Sequence, residues 1–459
     1  MRKTKKNTIE KIVEAPALIL EKGIEEVKIL EKEIISKKPI RAAEEYWETL
    51  GPGLTTGAAD DDPSGIATYS QAGAKFGYQF LWMAPITYPL MSVVQEMCAR
   101  IGMVTGQGLA KNIKLHYPKS ALYFTTGLLF FANTFNIGAD LGMMAKSVQL
   151  LLPGANFVVI LVIFTLVSIL LQIFTTYERY ARILKYLTFI LFSYVFSAFS
   201  LRLNLGEVLN GMAQIKGFFT KDHIYMVCAI LGTTISPYLF FWQSSQEVEE
   251  DILKGRTTIR QRQRSTTAEE IKKMRIDVWS GMFISNIVMF FIILACAGAL
   301  FNSGITNIES AEQAAQALRP FAGDLAFYLF TLGIIGIGLL SVPVLAGSGA
   351  YALAESFGWK NGLYRKLKDA YAFYGLIIFS MVLGLLVNFS GLDPIKTLIL
   401  AAIINGISAP VFLFFIVSIA RKKKIMGKFS NSRVSSAIVW LTISIMVLAG
   451  GATLIGLIF

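Results

Sequence analysis

Apolar runs recur along the whole chain, each about as long as the 20 residues that cross a bilayer core as helix. Within a few residues the first three are Gly51 to Ala74, Tyr78 to Val104 and Ala121 to Leu152. The fourth to seventh are Phe157 to Thr175, Ile183 to Leu201, His223 to Gln246 and Val278 to Phe301. The eighth starts near Phe321 and runs to about Phe357, too long for one straight crossing, so it predicts a helix that continues beyond the bilayer. The last three are Tyr371 to Phe389, Ile395 to Ala420 and Ser435 to Phe459. The pattern predicts an all-α membrane protein of eleven transmembrane helices.

Charge fixes the orientation that apolarity leaves open. With the N-terminus inside, 36 of the 43 Lys and Arg fall in inside segments and seven in outside segments. That is the bias of cytoplasmic loops. It also decides the first run, whose acids, Gly and Thr weaken its apolar signal. The tail before it and the Arg100 to Lys119 loop after the second run are both basic. Both lie inside only if two crossings separate them, so Gly51 to Ala74 crosses. The expected place is the cell membrane, multi-pass, with the N-terminus cytoplasmic and the C-terminus extracytoplasmic.

Composition agrees, with a hydrophobic fraction of 54%. The net charge of +12 lies in alternate loops, which argues against nucleic acid. Residues 1–48 read as a cytoplasmic tail of mixed Lys and Glu. Their apolar piece, Ala15 to Leu20, is too short and too acidic in its flanks for a signal peptide. Residues 49–459 read as one transporter-sized domain. Cys98, Cys228 and Cys296 lie in separate runs and read as buried free thiols. His116 and His223 are the only histidines, too few for an imidazole metal site. Thr267 to Glu270 reads as a capping box opening the helix into span seven.

At the centre of span one stands Asp60-Asp61-Asp62-Pro63-Ser64-Gly65. Acids at membrane depth mark an ion or proton site. Pro63 cannot continue a regular helix and Gly65 tolerates unwound backbone. Such backbone survives in a membrane only where it is buried or lines a cavity. Span six carries a counterpart, Gly232-Thr233-Thr234-Ile235-Ser236-Pro237-Tyr238. Five spans separate equivalent positions, so the two halves run in opposite directions. Paired broken helices of that kind meet at the midplane and form the substrate site of inverted-repeat transporters. Repeat one is expected at about 51–201, repeat two at about 223–420, and an extra helix at about 435–459.

The donors at these breaks are freed carbonyls, the Asp62 carboxylate, and the hydroxyls of Ser64, Thr233 and Ser236. Oxygen-only sets suit magnesium, calcium or manganese. Magnesium keeps several waters and uses one or two carboxylates. Asp60 and Asp61 then either hold a hydrated ion through water or stand as solvated charges in a vestibule. Glu96 and Arg100 are spaced to pair. Glu247, Glu249, Glu250 and Asp251 read as a solvated helix end.

Together these residues resemble the Nramp family of divalent-metal transporters, from Gly51 onward. Gly51-Pro52-Gly53 resembles the family's opening of span one. Asp62-Pro63-Ser64-Gly65 falls on its Asp-Pro-Gly-Asn signature. Ala67-Thr68, Gly73 to Tyr78, Gln95 and Arg100-Ile101-Gly102 also look familial. Ile235-Ser236-Pro237-Tyr238 falls on an apolar-Met-Pro-His pattern. The departures are specific. The family's Asn is Gly65, its Met is Ser236 and its His is Tyr238. In span three its Asp is kept as Asp140, but its Glu is Met143. Span nine holds no Arg or His. These changes are similar to those of the Nramp-related magnesium-transporter branch.

The resemblance implies a LeuT-type fold with inverted 5+5 repeats plus one helix, carrying Mg2+, with Mn2+ as a second substrate, into the cytoplasm without protons. Asp62, Gly65, Thr233 and Ser236 are the expected metal ligands, the first through its carboxylate and Gly65 and Thr233 through carbonyls. Asp60, Asp61, Ser64, Asp140, Tyr238, Gln243, Asn405 and Ser408 are further candidates along the path. The partners are the divalent ion as substrate and the lipid bilayer. No cofactor and no enzymatic activity are expected. The rivals are a proton-coupled Mn2+ or Fe2+ importer, an amino-acid transporter of the same fold, and an intramembrane aspartyl protease. Three aspartates would repel a substrate carboxylate, and the Gly-x-Gly-Asp pattern a protease needs is absent around Asp140 and Asp324.

Overall fold

The computed structural model describes Tyr46 and residues 50–175, 192–201, 203–213 and 220–458. The expectations for almost all of the tail 1–48, for the Arg179 to Lys185 loop and for the start of span five lie outside the described residues. Among the described residues all regular structure is helical, and Pro52–Phe459 forms one compact unit. Helices of seven residues or more are numbered in chain order. Span one is α1 (Pro52–Asp60) and α2 (Pro63–Phe76), and span two is α3 (Met83–Thr105). A short α4 (Leu109–His116) leads to α5 (Lys119–Leu151), α6 (Phe157–Phe174), α7 (Phe192–Ser200) and α8 (Leu205–Ala213). Span six is α9 (Lys221–Thr234) and α10 (Pro237–Leu253), followed by α11 (Ile259–Ser265) and α12 (Ala268–Ala299). The rest are α13 (Ala326–Phe357), α14 (Tyr371–Val387), α15 (Pro394–Arg421) and α16 (Arg433–Ile458).

By length and apolarity alone, six helical stretches among the described residues suit a membrane crossing: Phe157–Phe174, Lys221–Leu253, Ala268–Ser303, Ala311–Phe357, Pro394–Arg421 and Arg433–Gly456. The α1–α2 pair is not in that set, because its aspartates, threonines and glycines dilute it. The lipid-facing side is plain on α6, which exposes Val158, Val159, Val162, Ile163, Leu166 and Leu170. A bilayer accepts that face, while the polar residues turn inward. As expected, α13 runs unbroken through Phe357, and Thr267 and Glu270 form a capping box at the start of α12.

Both predicted breaks are present, and each proline starts the second helix of its pair. Pro63 opens α2 behind Asp62 as N-cap, and Pro237 opens α10 behind Ser236. Proline is pre-organised for that first position, where its missing N–H costs nothing. The two pairs run antiparallel against each other. Thr56 on α1 bonds Gln243 on α10, whereas Tyr69 on α2 bonds Thr234 on α9. Advancing along one pair means retreating along the other, as inverted halves require.

Close helix crossings hold this arrangement. Gly57 of α1 lies so near Gly281 of α12 that a Cβ would overlap the Gly281 carbonyl. Gly232 of α9 meets Ala402 and Gly406 of α15 in the same way. Small residues of this kind let membrane helices pack by backbone contact. Glu96 of α3 gathers Arg100 of its own helix with Arg275 and the Trp279 indole of α12. The expected Glu96–Arg100 pair is therefore part of a lock between two helices.

Candidate functional site

Asp62 is held by donors on three sides. As N-cap of α2 its Oδ1 accepts from Ser64 Oγ at 2.6 Å and from the Gly65 N–H at 2.7 Å. Its Oδ2 accepts from Asn136 Nδ2 of α5 at 2.9 Å. Bonds to a charged acceptor are worth about 1.5–3 kcal/mol each, so the carboxylate has one orientation. Asn136 did not emerge from the sequence. Its signal was weak: it stands one turn before Asp140, on a helix rich in buried polar residues. Its Oδ1 is buried and has no partner among the described residues.

Ser64 Oγ lies 3.4 Å from Thr233 Oγ1, which joins the two breaks directly. Gly65 enters through its N–H and through its lack of a side chain. A Cβ there would stand 3.3 Å from both the Asp60 carbonyl and Thr233 Oγ1. Ser236 Oγ lies 2.7 Å from the Gly232 carbonyl and 2.8 Å from that of Thr233, so its proton is spent at the frayed end of α9 while its lone pairs stay available. Tyr238 turns back to the first pair, donating its hydroxyl to the Ala59 carbonyl at 2.6 Å. Ser348 of α13 donates to the Tyr238 carbonyl.

The three aspartates do not share one environment. Asp60 Oδ2 accepts from Ser285 Oγ of α12 at 2.7 Å, and Asp61 Oδ1 stands 3.3 Å from the same hydroxyl. Both side chains are buried, at 0% and 1% exposure. The reading of solvated vestibule charges is thereby corrected: helix packing against α12 removes both acids from water. Among the described residues no three His, Cys, Asp or Glu side chains converge on one point. Asp140 lies deep in α5, with Oδ2 accepting from Ser341 of α13 and Oδ1 without a partner among the described residues.

A buried polar line follows α1 away from the break. Gln243 accepts from Thr56 at 2.5 Å and donates to Glu247. At the far end, Asp277 of α12 caps α1 by accepting from the Gly53 and Leu54 N–H groups at 2.7 and 3.0 Å. This cap was not foreseen, since the two partners are more than 220 residues apart in sequence. Asn405 and Ser408 are buried on α15, and Ser408 bonds the Asn405 carbonyl. No hydrogen bond among the described residues joins either to Asp62.

The solvated helix end proposed after span six is also corrected. Glu249 is 2% exposed. It accepts from Tyr351 Oη at 2.6 Å and from the Leu363 and Tyr364 N–H groups at 2.9 and 3.0 Å. Asp251 pairs with Arg256. The segment after α13 folds back over this helix end, and its backbone donors replace water.

Known proteins resemble this chain along most of its length. The family model described as "Natural resistance-associated macrophage protein-like", Nramp, covers residues 53–456. A divalent metal cation transporter MntH of Aeromonas hydrophila is 26% identical over 415 residues, covering 87% of this chain and 93% of the relative. MntH of Klebsiella pneumoniae is 25% identical over 417 residues, covering 89% and 94%. Among solved structures, the Eremococcus coleocola manganese transporter superposes with a TM-score of 0.66 at 19% identity, over 87% of this chain and 84% of that one. Mhp1, a nucleobase-cation-symport-1 family transporter, reaches 0.57 at 16% identity, over 89% and 91%. The fold is thus the LeuT-type arrangement of broken helices. With its family model spanning nearly the whole membrane region, the chain belongs to the Nramp family of multi-pass membrane transporters.

Proposed function

We propose that this protein carries divalent metal cations across the cell membrane into the cytoplasm, with Mg2+ preferred, Mn2+ as a second substrate, and no obligatory proton movement. The observation that carries the reading is the donor set at the double break. Asp62 supplies one carboxylate, Ser64, Thr233 and Ser236 supply hydroxyls, and Asn136 brings an amide. All are hard donors, and one carboxylate with several neutral oxygens suits an ion that keeps part of its water. The Met289 sulfur is engaged with Thr87 and Thr234. Divalent cations are also what the names of the MntH relatives specify. The N-terminus is cytoplasmic and the C-terminus extracytoplasmic, on the charge bias of the loops.

Asp62 is the principal ligand in this reading, with Asn136 Oδ1, the Thr233 carbonyl and the Ser236 lone pairs completing the shell directly or through water. Gly65 contributes space for that water. A second reading has its own support. Asp60 and Asp140 each keep a buried carboxylate oxygen without a partner among the described residues, as a proton-coupled Mn2+ or Fe2+ importer would need. Competitive uptake of Mg2+, Mn2+ and Ca2+ into proteoliposomes with an internal pH dye separates the two. Mg2+ uptake without acidification is expected. Mn2+ uptake with stoichiometric acidification and no Mg2+ flux overturns the proposal.

A further inference from the structure

The chain ends in a segment whose charge is entirely one-sided. Asp393 is the last acidic side chain, and after it come Lys396, Arg421, Lys422, Lys423, Lys424, Lys428 and Arg433. The turn between α15 and α16 is built firmly. The Asn431 N–H returns to the Ala420 carbonyl at 2.9 Å, and Lys422 bonds back to Ile419. Ser432 Oγ accepts from the Ser435 N–H at 3.1 Å and so caps the start of α16. Between these elements lies a cavity of about 350 Å³, lined by Arg421, Lys423, Asn431, Arg433 and Trp440 among others.

Three features of this cavity ask for an anion. No ion pair among the described residues engages Arg421, Lys423 or Arg433. The Asn431 amide is buried at both polar atoms, and neither has a partner among the described residues. The cavity also sits at the N-terminus of a 26-residue helix, the end whose free N–H groups favour negative charge. Trp440 lies seven residues further along α16, about 10 Å at the helical rise. It is partly exposed and packs edge-on against Phe414 of α15. A tryptophan beside a basic helix end marks the level of the headgroups.

We propose that this cavity binds the phosphate of an anionic phospholipid, with the two arginines and Lys423 on its oxygens and the acyl chains running past Trp440 along the α15–α16 groove. Basic pockets between membrane helices recognise headgroups in this way. The placement rests on the membrane reading of the family, and it is independent of which metal is carried.

Native mass spectrometry of the full-length protein, taken from vesicles of phosphatidylcholine with or without phosphatidylglycerol, tests it. Phosphatidylglycerol is expected to stay with the wild type. Arg421→Gln, Lys423→Gln and Arg433→Gln should each weaken its retention about fivefold, and the triple variant should lose it. Lys428→Gln, which removes a charge outside the cavity, should keep it. Singles that retain phosphatidylglycerol as tightly as wild type overturn the proposal, even if the triple variant does not fold. Inorganic phosphate is the competing source. If it raises the melting temperature through the same residues while no lipid is retained, the site takes a free anion and the lipid assignment falls.

Discussion

At the scale of single residues, Asp62 and Asn136 carry the argument. Removing the Asn136 amide leaves one carboxylate oxygen without its protein donor and takes one neutral oxygen from the proposed shell. Asn136→Ala should lower Mg2+ uptake into proteoliposomes roughly tenfold or more, from the worth of one charge-assisted bond. Asp62→Ala should abolish it, and retained flux in that variant would remove the site assignment whatever the ion. Ser236→Met puts a thioether where the family has one. It should raise the Mn2+ to Mg2+ uptake ratio, since soft ligands favour transition metals. An unchanged ratio would detach selectivity from this position.

Residue-level chemistry was readable where a local rule applied. Proline announces its own break, so Pro63 and Pro237 were legible, as was the capping box at Thr267. Asn136 and Asp277 were not, because a buried polar residue on a long helix does not say which neighbour it faces. Glu249 was misread for a related reason. Acids at the end of a span look solvated until the distant backbone of Leu363 and Tyr364 is seen covering them.

At the scale of elements, the scaffold is α12 with α1 and α2 laid along it. The Gly57–Gly281 approach leaves no room for even a methyl group against backbone. Gly57→Ala should therefore destabilise the protein by about 1–3 kcal/mol, the usual cost of overpacking. Gly127 of α5 has open space around its Cα. Gly127→Ala should be neutral or stabilising by up to about 1 kcal/mol. Thermal melts of the two variants make the comparison, and equal melting temperatures would show that the α1–α12 crossing is looser than its geometry. The two breaks, their pairing and their antiparallel sense were all legible at this scale. The glycine seams were not, since one glycine in an apolar run looks like any other.

For the whole molecule, apolar runs and loop charge together ask for eleven crossings, whereas a helix-by-helix measure of length and apolarity selects six stretches among the described residues. Part of the difference falls on helices diluted by buried polar residues, the α1–α2 pair foremost, while α14 is apolar but only 17 residues long and the start of span five lies outside the described residues. Scanning cysteines test the charge reading. A cysteine replacing Arg264 should react with an impermeant reagent only from the cytoplasmic side, and one replacing Lys396 only from outside. Labelling of both from one side would break the topology. Cys98, Cys228 and Cys296 are buried and contribute little background.

The Asp277 cap on α1 bears on how the molecule divides its time. Any state in which α1 leaves α12 must give up two bonds from the Gly53 and Leu54 N–H groups to a carboxylate. At about 1.5–3 kcal/mol each, water recovers part of that loss but not the preorganised geometry. The cap thus weights the population towards states in which α1 stays on α12. That weight is set by one side chain at the opposite end of α1 from the Asp62 break, so a change at Asp277 shifts the helix equilibrium while leaving the donors around Asp62 in place.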